Sequence, residues 1–259
     1  MTPSVPTYDA TAAFGTDSLA ERDFLRQVFA WMFLALALTT GVAIWFHQSN
    51  GVQNYLTTHR TLLYVALFAQ LGFVIALRPI VASQRVSVQV AALVFFLYAA
   101  LTGVVFSILL DVYTTKSVVG AFGGACGVFA GMALWGYTTK SDLTRFGPIL
   151  FGALIGLVVA SVVFIFTGGG ILNLLIGFAG VIIFSGLTAY DIQNLKLMRV
   201  GAGRFGFGGG FRGRGGGGGQ PLTVGAGGEK FAIYGALLLY LDFINLFISL
   251  LRIFGGARR

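Results

Sequence analysis

Seven stretches of this chain are apolar enough and long enough to cross a bilayer, for which roughly 20 residues suffice. They are Val28–Phe46, Thr61–Leu77, Val88–Leu110, Val118–Tyr137, Gly147–Phe166, Ile171–Tyr190 and Phe231–Phe254. A chain so divided is expected to be an all-α integral membrane protein. Its composition agrees, since 56% of residues are hydrophobic and only 10% charged, unlike any ordinary soluble domain. The second stretch is the shortest and stops at Arg78–Pro79, where proline ends the hydrogen-bond ladder. Residues 1–23 read as a polar, disordered tail without the basic start and apolar core of a cleavable signal peptide. Ser18 and Glu21 nevertheless have the spacing of a capping box, which would begin the first helix ahead of the membrane.

The last stretch differs from the others by carrying charge at membrane depth. Asp242 lies about halfway along it and Arg252 near its end. Asp242, Asn245, Ser249 and Arg252 follow at intervals of three, four and three residues, which places them on one helical face. A carboxylate at that depth costs several kcal/mol on insertion scales, roughly 3 at a helix centre, and is usually kept for a pathway, a relay or a gate. Whether this helix spans fully or re-enters around Asp242 is left open by the sequence.

Lys and Arg set the orientation. With a cytosolic N-terminus, the inner segments hold twelve of them and the outer loops only Arg60 and Lys116, so the positive-inside rule selects N-in. The expected location is a bacterial inner membrane. Within the bilayer, Gly120, Gly124, Gly127 and Gly131 of the fourth stretch, and Gly152 and Gly156 of the fifth, have small-xxx-small spacing. They are expected to mark tight helix packing. Between the last two spans, Gly201–Gly228 is Gly-rich with interspersed Arg and Phe, and reads as a flexible tether. No nucleic-acid partner is expected from it.

Isolated polar residues are weak signals. His47 and His59 flank an outer loop with no Cys or carboxylate at metal-ligand spacing, and Asp111 and Asp142 read as interfacial solubilising charges. The one Cys, Cys126, allows no intrachain disulfide. No phosphate loop and no Ser–His–Asp set is visible, no cofactor is implied, and any metal site is unknown. What remains is a pair. Asp191 ends the sixth stretch, after Ser185 and Thr188 at three-residue steps, and Asp242 lies in the seventh. Two carboxylates brought together in a low-dielectric site cannot both ionise cheaply, so the pair would share one proton. Counted from Lys196 and Lys230, however, the two aspartates lie about 7 and 18 Å deep, so the last helix would have to project or tilt for them to meet.

The sequences LTAYDIQNLK and LLLYLDFINLFISLLRIFG, together with FFLYAALTGVVFS at Phe95–Ser107, resemble the bacterial form of the Bax inhibitor family of multi-span membrane proteins. The resemblance covers about Arg22 to Gly256. It implies a seven-helix fold whose C-terminal helix is central and wrapped by the other six, with residues 24–256 as the membrane domain. It also implies a pH-sensitive calcium leak gated by Asp191 and Asp242, with Arg252 matching the arginine that follows the second motif. Thr188, Asn245 and Ser249, placed near them by spacing, are expected to join Arg252 as the supporting polar face. Two features depart from the family pattern. Gln70 in AQLGFVIAL stands where bacterial members often have an acidic residue, and the Gly-rich insertion is longer than the usual loop. A second reading is a membrane-embedded partner of an ATP-dependent membrane protease, as some bacterial relatives are, using the N-terminal tail as a handle. A remote third is an intramembrane aspartyl protease, but the chain has Leu239-Tyr240-Leu241-Asp242 where that class has Gly-x-Gly-Asp. The chain is therefore not expected to be an enzyme.

Overall fold

The computed structural model describes residues 10–49, 70, 86–199 and 226–255. Outside them lie the second apolar stretch apart from Gln70, His59, Arg60, the Gly-rich segment through Gly225, Arg258 and Arg259. Six long α-helices are described: α1 (Ala10–Gln48), α2 (Val88–Val112), α3 (Thr115–Thr138), α4 (Gly147–Thr167), α5 (Gly170–Arg199) and α6 (Ala226–Phe254). Each is long and apolar enough to cross a membrane, and no strand occurs among the described residues.

Local chemistry sets the helix ends. Ser87 caps α2 by accepting from Val90 N, and Thr114 caps α3 by accepting from Ser117 N. A short 3-10 turn, Leu143–Phe146, precedes α4, and Pro148 opens that helix where a missing N–H costs nothing. Asp142 caps this turn; its carboxylate accepts from the hydroxyl and backbone N–H of Thr144, which hold it below the usual carboxylate range. It is more than the solubilising charge expected. Gly168 and Gly169, at φ 65° and 106°, make the reversal between α4 and α5, a conformation that side chains rarely adopt.

Three boundaries differ from expectation. The backbone is helical from Ala10, so the tail expected through Asp23 is shorter and Ser18 lies inside α1 rather than capping it. Helix α5 continues to Arg199, so Asp191 is within a helix instead of at its end. Helix α6 begins at Ala226, inside the segment read as tether, and runs unbroken to Phe254 with no re-entrant turn.

Burial is distributed unevenly. In α6, 67% of the most apolar stretch is buried, against at most 33% in the other five helices and none in α4. Helix α6 packs against α1, α2, α3 and α5, while among the described residues α4 packs mainly on α5 and the 3-10 turn. Such packing needs close backbone approach, but not at the glycines singled out by spacing. Gly120, Gly127, Gly131, Gly152 and Gly156 have no described atom within 4 Å of where a Cβ would stand, and Gly124 meets only the ends of Leu250 and Phe254. The buried stripe of α3 runs one to two residues over, through Ala121, Ala125, Phe129, Ala133 and Gly136. Real closeness occurs at Gly136 against the Ala189 backbone and at Gly103 of α2, where a Cβ would stand 2.6 Å from Thr39 O. With lipid on the outside, apolar faces gain nothing by turning inward, so small-residue spacing alone does not identify the inner face.

Candidate functional site

Helices α5 and α6 run antiparallel, with a register fixed by three glycines. Gly235 meets Leu195, Gly180 meets Ser249, and a Cβ on Gly177 would stand 3.1 Å from Ser249 O. Fifteen residue steps along α5, from Gly180 to Leu195, thus match fourteen along α6, from Gly235 to Ser249. On that register Asp191 is level with Leu238–Leu239, and Asp242 stands about 5 Å further along, roughly one helical turn. Gly235, Asp242 and Ser249 are seven apart, as are Gly177, Phe184 and Asp191. Seven is the repeat by which one helix face follows its neighbour. Both aspartates therefore lie on the α5–α6 seam. They are 5% and 3% exposed. The depth mismatch is resolved because Gly235, not Lys230, stands beside Leu195, so that the first turn of α6 projects beyond it.

The motif around Asp191 works residue by residue. Tyr190 fills the space that Gly147 leaves open, and Ile192 is core. Gln193 pins the α3–α4 connection, its Oε1 accepting from Leu143 N and its Nε2 donating to Ser141 O, both at 2.8 Å. Leu195 seats against Gly235, which Val28 of α1 also approaches. Lys196 pairs with Glu21 at 3.6 Å, donates to Tyr137 O at 3.3 Å and lies 4.8 Å above the Tyr137 ring. One motif so ties α5 to α1, α3 and α6 around its aspartate.

The supporting residues are held by their own helices. Thr188 Oγ1 donates to Phe184 O, Asn245 Nδ2 to Leu241 O and Ser249 Oγ to Asn245 O, each four residues back at 2.7–2.8 Å. Arg252 is at the far end of α6, half-buried, its Cβ facing Gly177 and its charge near Tyr113.

A second buried polar group was missed by the sequence reading. The Tyr240 hydroxyl, fully buried, sits 2.7 Å from Thr39 Oγ1. Thr39 Oγ1 can donate to Ala35 O or Ala99 O, both at 2.9 Å, and either hydroxyl of the Thr39–Tyr240 pair can serve as the donor between them. Thr102 lies beside Tyr240, donates to Tyr98 O and accepts from Gln70 Nε2 at 2.7 Å. Gln70 acts there as a donor, a role that a carboxylate cannot fill. The available signal was hydroxyl residues recurring in otherwise apolar spans. His47 and Asp111 were read as unrelated but meet, Nδ1 to Oδ1 at 2.9 Å, across the ends of α1 and α2. Among the described residues no group of three or more His, Cys, Asp or Glu could hold a metal ion.

Residues 21–259 match the family model described as Inhibitor of apoptosis-promoting Bax1. The chain belongs to the Bax inhibitor family. It is a multi-pass membrane protein of that family. Escherichia coli K12 has a family relative named inner membrane protein YbhL, 42% identical over 235 residues, which are 91% of this chain and 92% of the relative. An uncharacterized protein of Deinococcus radiodurans is 39% identical over 92% of this chain and 91% of its own length. Another, from Borreliella burgdorferi, is 34% identical over 93% and 94%. None of these descriptions names a catalytic activity.

Proposed function

We propose that this Bax inhibitor family protein is a proton-sensitive cation leak gated by Asp191 and Asp242, with calcium as the ion that the family resemblance implies. The observation that carries the reading is the seam: two carboxylates, each almost wholly buried, within about one turn of each other on antiparallel helices. Ionising both in that setting costs desolvation and repulsion together, so the closed pair holds one proton. Loss of that proton drives α5 and α6 apart, and the pH dependence belongs to the pair.

In this reading the protein has seven spans, Thr61–Leu77 being the second, with α6 at the centre. The burial of α6 and the four helices packed on it support that arrangement. The N-terminus is cytosolic, on the side of Arg22, Arg26, Lys140 and Lys196, which places the aspartates toward the cytosol and Arg252 at the outer mouth. There the arginine repels cations while the pathway is closed.

The test is calcium uptake into liposomes containing the purified protein, across a range of pH. Asp191→Asn and Asp242→Asn should each flatten the flux-versus-pH curve, and the double variant should add little to either, since the two act as one unit. Wild-type pH dependence in both single variants would refute the gate.

A further inference from the structure

Beside the seam, α1 and α3 are held apart, each leaning on α6, and leave an apolar groove of about 460 Å³ between them. Its walls are Leu25, Phe29 and Phe33 on α1 and Cys126, Ala130 and Tyr137 on α3; its floor is Ile192 of α5 and Phe243 of α6. From Leu25 to Phe33 is about 12 Å of helix and from Cys126 to Tyr137 about 16 Å. One leaflet of hydrocarbon is about 15 Å thick, half of a 30 Å core. The groove therefore runs the depth of one leaflet, the one on the Arg22 side.

Its mouth is basic. Arg22 and Arg26 lie on the same row of α1 as Phe29 and Phe33, at steps of four, three and four. Both are exposed, and among the described residues neither takes part in an ion pair. Lys140, also exposed, follows the α3 wall. The acidic residues nearby do not cancel this charge. Glu21 is engaged by Lys196. Asp23 is turned about 100° from Arg22 and about 60° from Arg26 around the helix, and one carboxylate leaves Arg22, Arg26 and Lys140 with a net positive charge.

We propose that this groove is a binding site for an anionic phospholipid, one acyl chain lying between α1 and α3 and the headgroup phosphate held by Arg22 and Arg26. An apolar slot of leaflet depth accepts a chain, and unpaired arginines at the headgroup level select its charge. Ile192 and Phe243 directly follow Asp191 and Asp242, so the bound chain presses on the back of the same two helices that carry the aspartates. Binding itself does not depend on the gate.

The experiment uses the full chain in phosphatidylcholine vesicles carrying a trace of phosphatidylglycerol with a photoactivatable group midway along one acyl chain. Parallel vesicles carry the matched phosphatidylcholine probe. The anionic probe should label peptides covering residues 25–33 and 126–137 in preference to its neutral counterpart. Each arginine is expected to contribute about five-fold to that preference. Arg22→Gln with Arg26→Gln should abolish the preference while leaving neutral labelling intact, and both positions are exposed, so folding is not at stake. Ala130→Trp, which fills the slot, should remove labelling of these peptides by either probe. Equal labelling by the two probes, or a preference untouched by the double arginine variant, would reduce the groove to ordinary bulk-lipid contact. Absence of label from these peptides would overturn the site altogether.

Discussion

Substituting Gly136 by alanine adds one methyl group where there is no room for it. That Cβ would stand 2.8 Å from Ala189 Cα and 2.9 Å from Ala189 C, and closer to its carbonyl oxygen. Carbon–carbon contacts are comfortable at about 3.5–4.0 Å, so α3 and α5 must part by about 0.7–1 Å. The obstructing atoms are backbone and cannot rotate aside. Overpacking of this kind costs about 1–3 kcal/mol. At about 2–4 °C per kcal/mol for a chain of this size, the melting temperature should fall by about 2–12 °C. Ala189 is two residues before Asp191, so the displacement also reaches the seam and should alter the pH dependence of flux. The assay is intrinsic-fluorescence melting of the purified protein in detergent, with liposome flux alongside. Gly131→Ala on the same helix is the comparison, because nothing described lies within 4 Å of its Cβ position. It should stay within about 0.5 kcal/mol of wild type. If the two substitutions lower the melting temperature equally, or Gly136→Ala leaves it unchanged, the packing assignment of α3 is wrong.

Tyr240→Phe keeps the ring and deletes the hydroxyl bonded to Thr39, and should cost about 0.5–1.5 kcal/mol in the same melting assay. Lys196→Met should destabilise more than Glu21→Gln, because Lys196 also serves Tyr137, while a double-mutant cycle should assign only about 0.2–1 kcal/mol to the pair itself. For orientation, a cysteine introduced into the Gly-rich segment of a Cys126→Ser background should resist impermeant thiol reagents added to intact cells; ready labelling would reverse the topology.

The six described spans were legible because lipid demands about 20 apolar residues in a row, a signal that needs no partner. The aspartates were legible because charge in such a run is conspicuous. Which face of a helix turns inward was not legible. In water Phe122 and Leu134 would reveal an inner face by being apolar, but here both are exposed, and the buried row of α3 is mostly alanine. Nor could spacing give the register of α5 against α6. That depends on Gly180 meeting Ser249 and Gly235 meeting Leu195, contacts between residues far apart in the chain. The Tyr240–Thr39 bond and the His47–Asp111 pair were hidden for the same reason, each partner looking like a lone residue in its own segment.

Of the six described helices, the most buried is made after the other five. Thr39 and Tyr240 are 201 positions apart, and at about 5–20 residues per second the ribosome leaves Thr39 waiting about 10–40 s for its partner. As they are made in turn, α1, α2, α3 and α5 enter the bilayer with the surfaces that will receive α6 uncovered, among them Thr39, Thr102 and Asp191. Arrival of the final segment then converts a loose set of inserted helices into a packed protein, making its insertion the natural checkpoint for quality control. A chain stopped after residue 225 is expected to enter the membrane and be degraded quickly in a pulse–chase experiment. Residues 226–259 supplied as a separate segment should extend its lifetime, and an equally long-lived truncated chain without that segment would show that the first helices need no such completion.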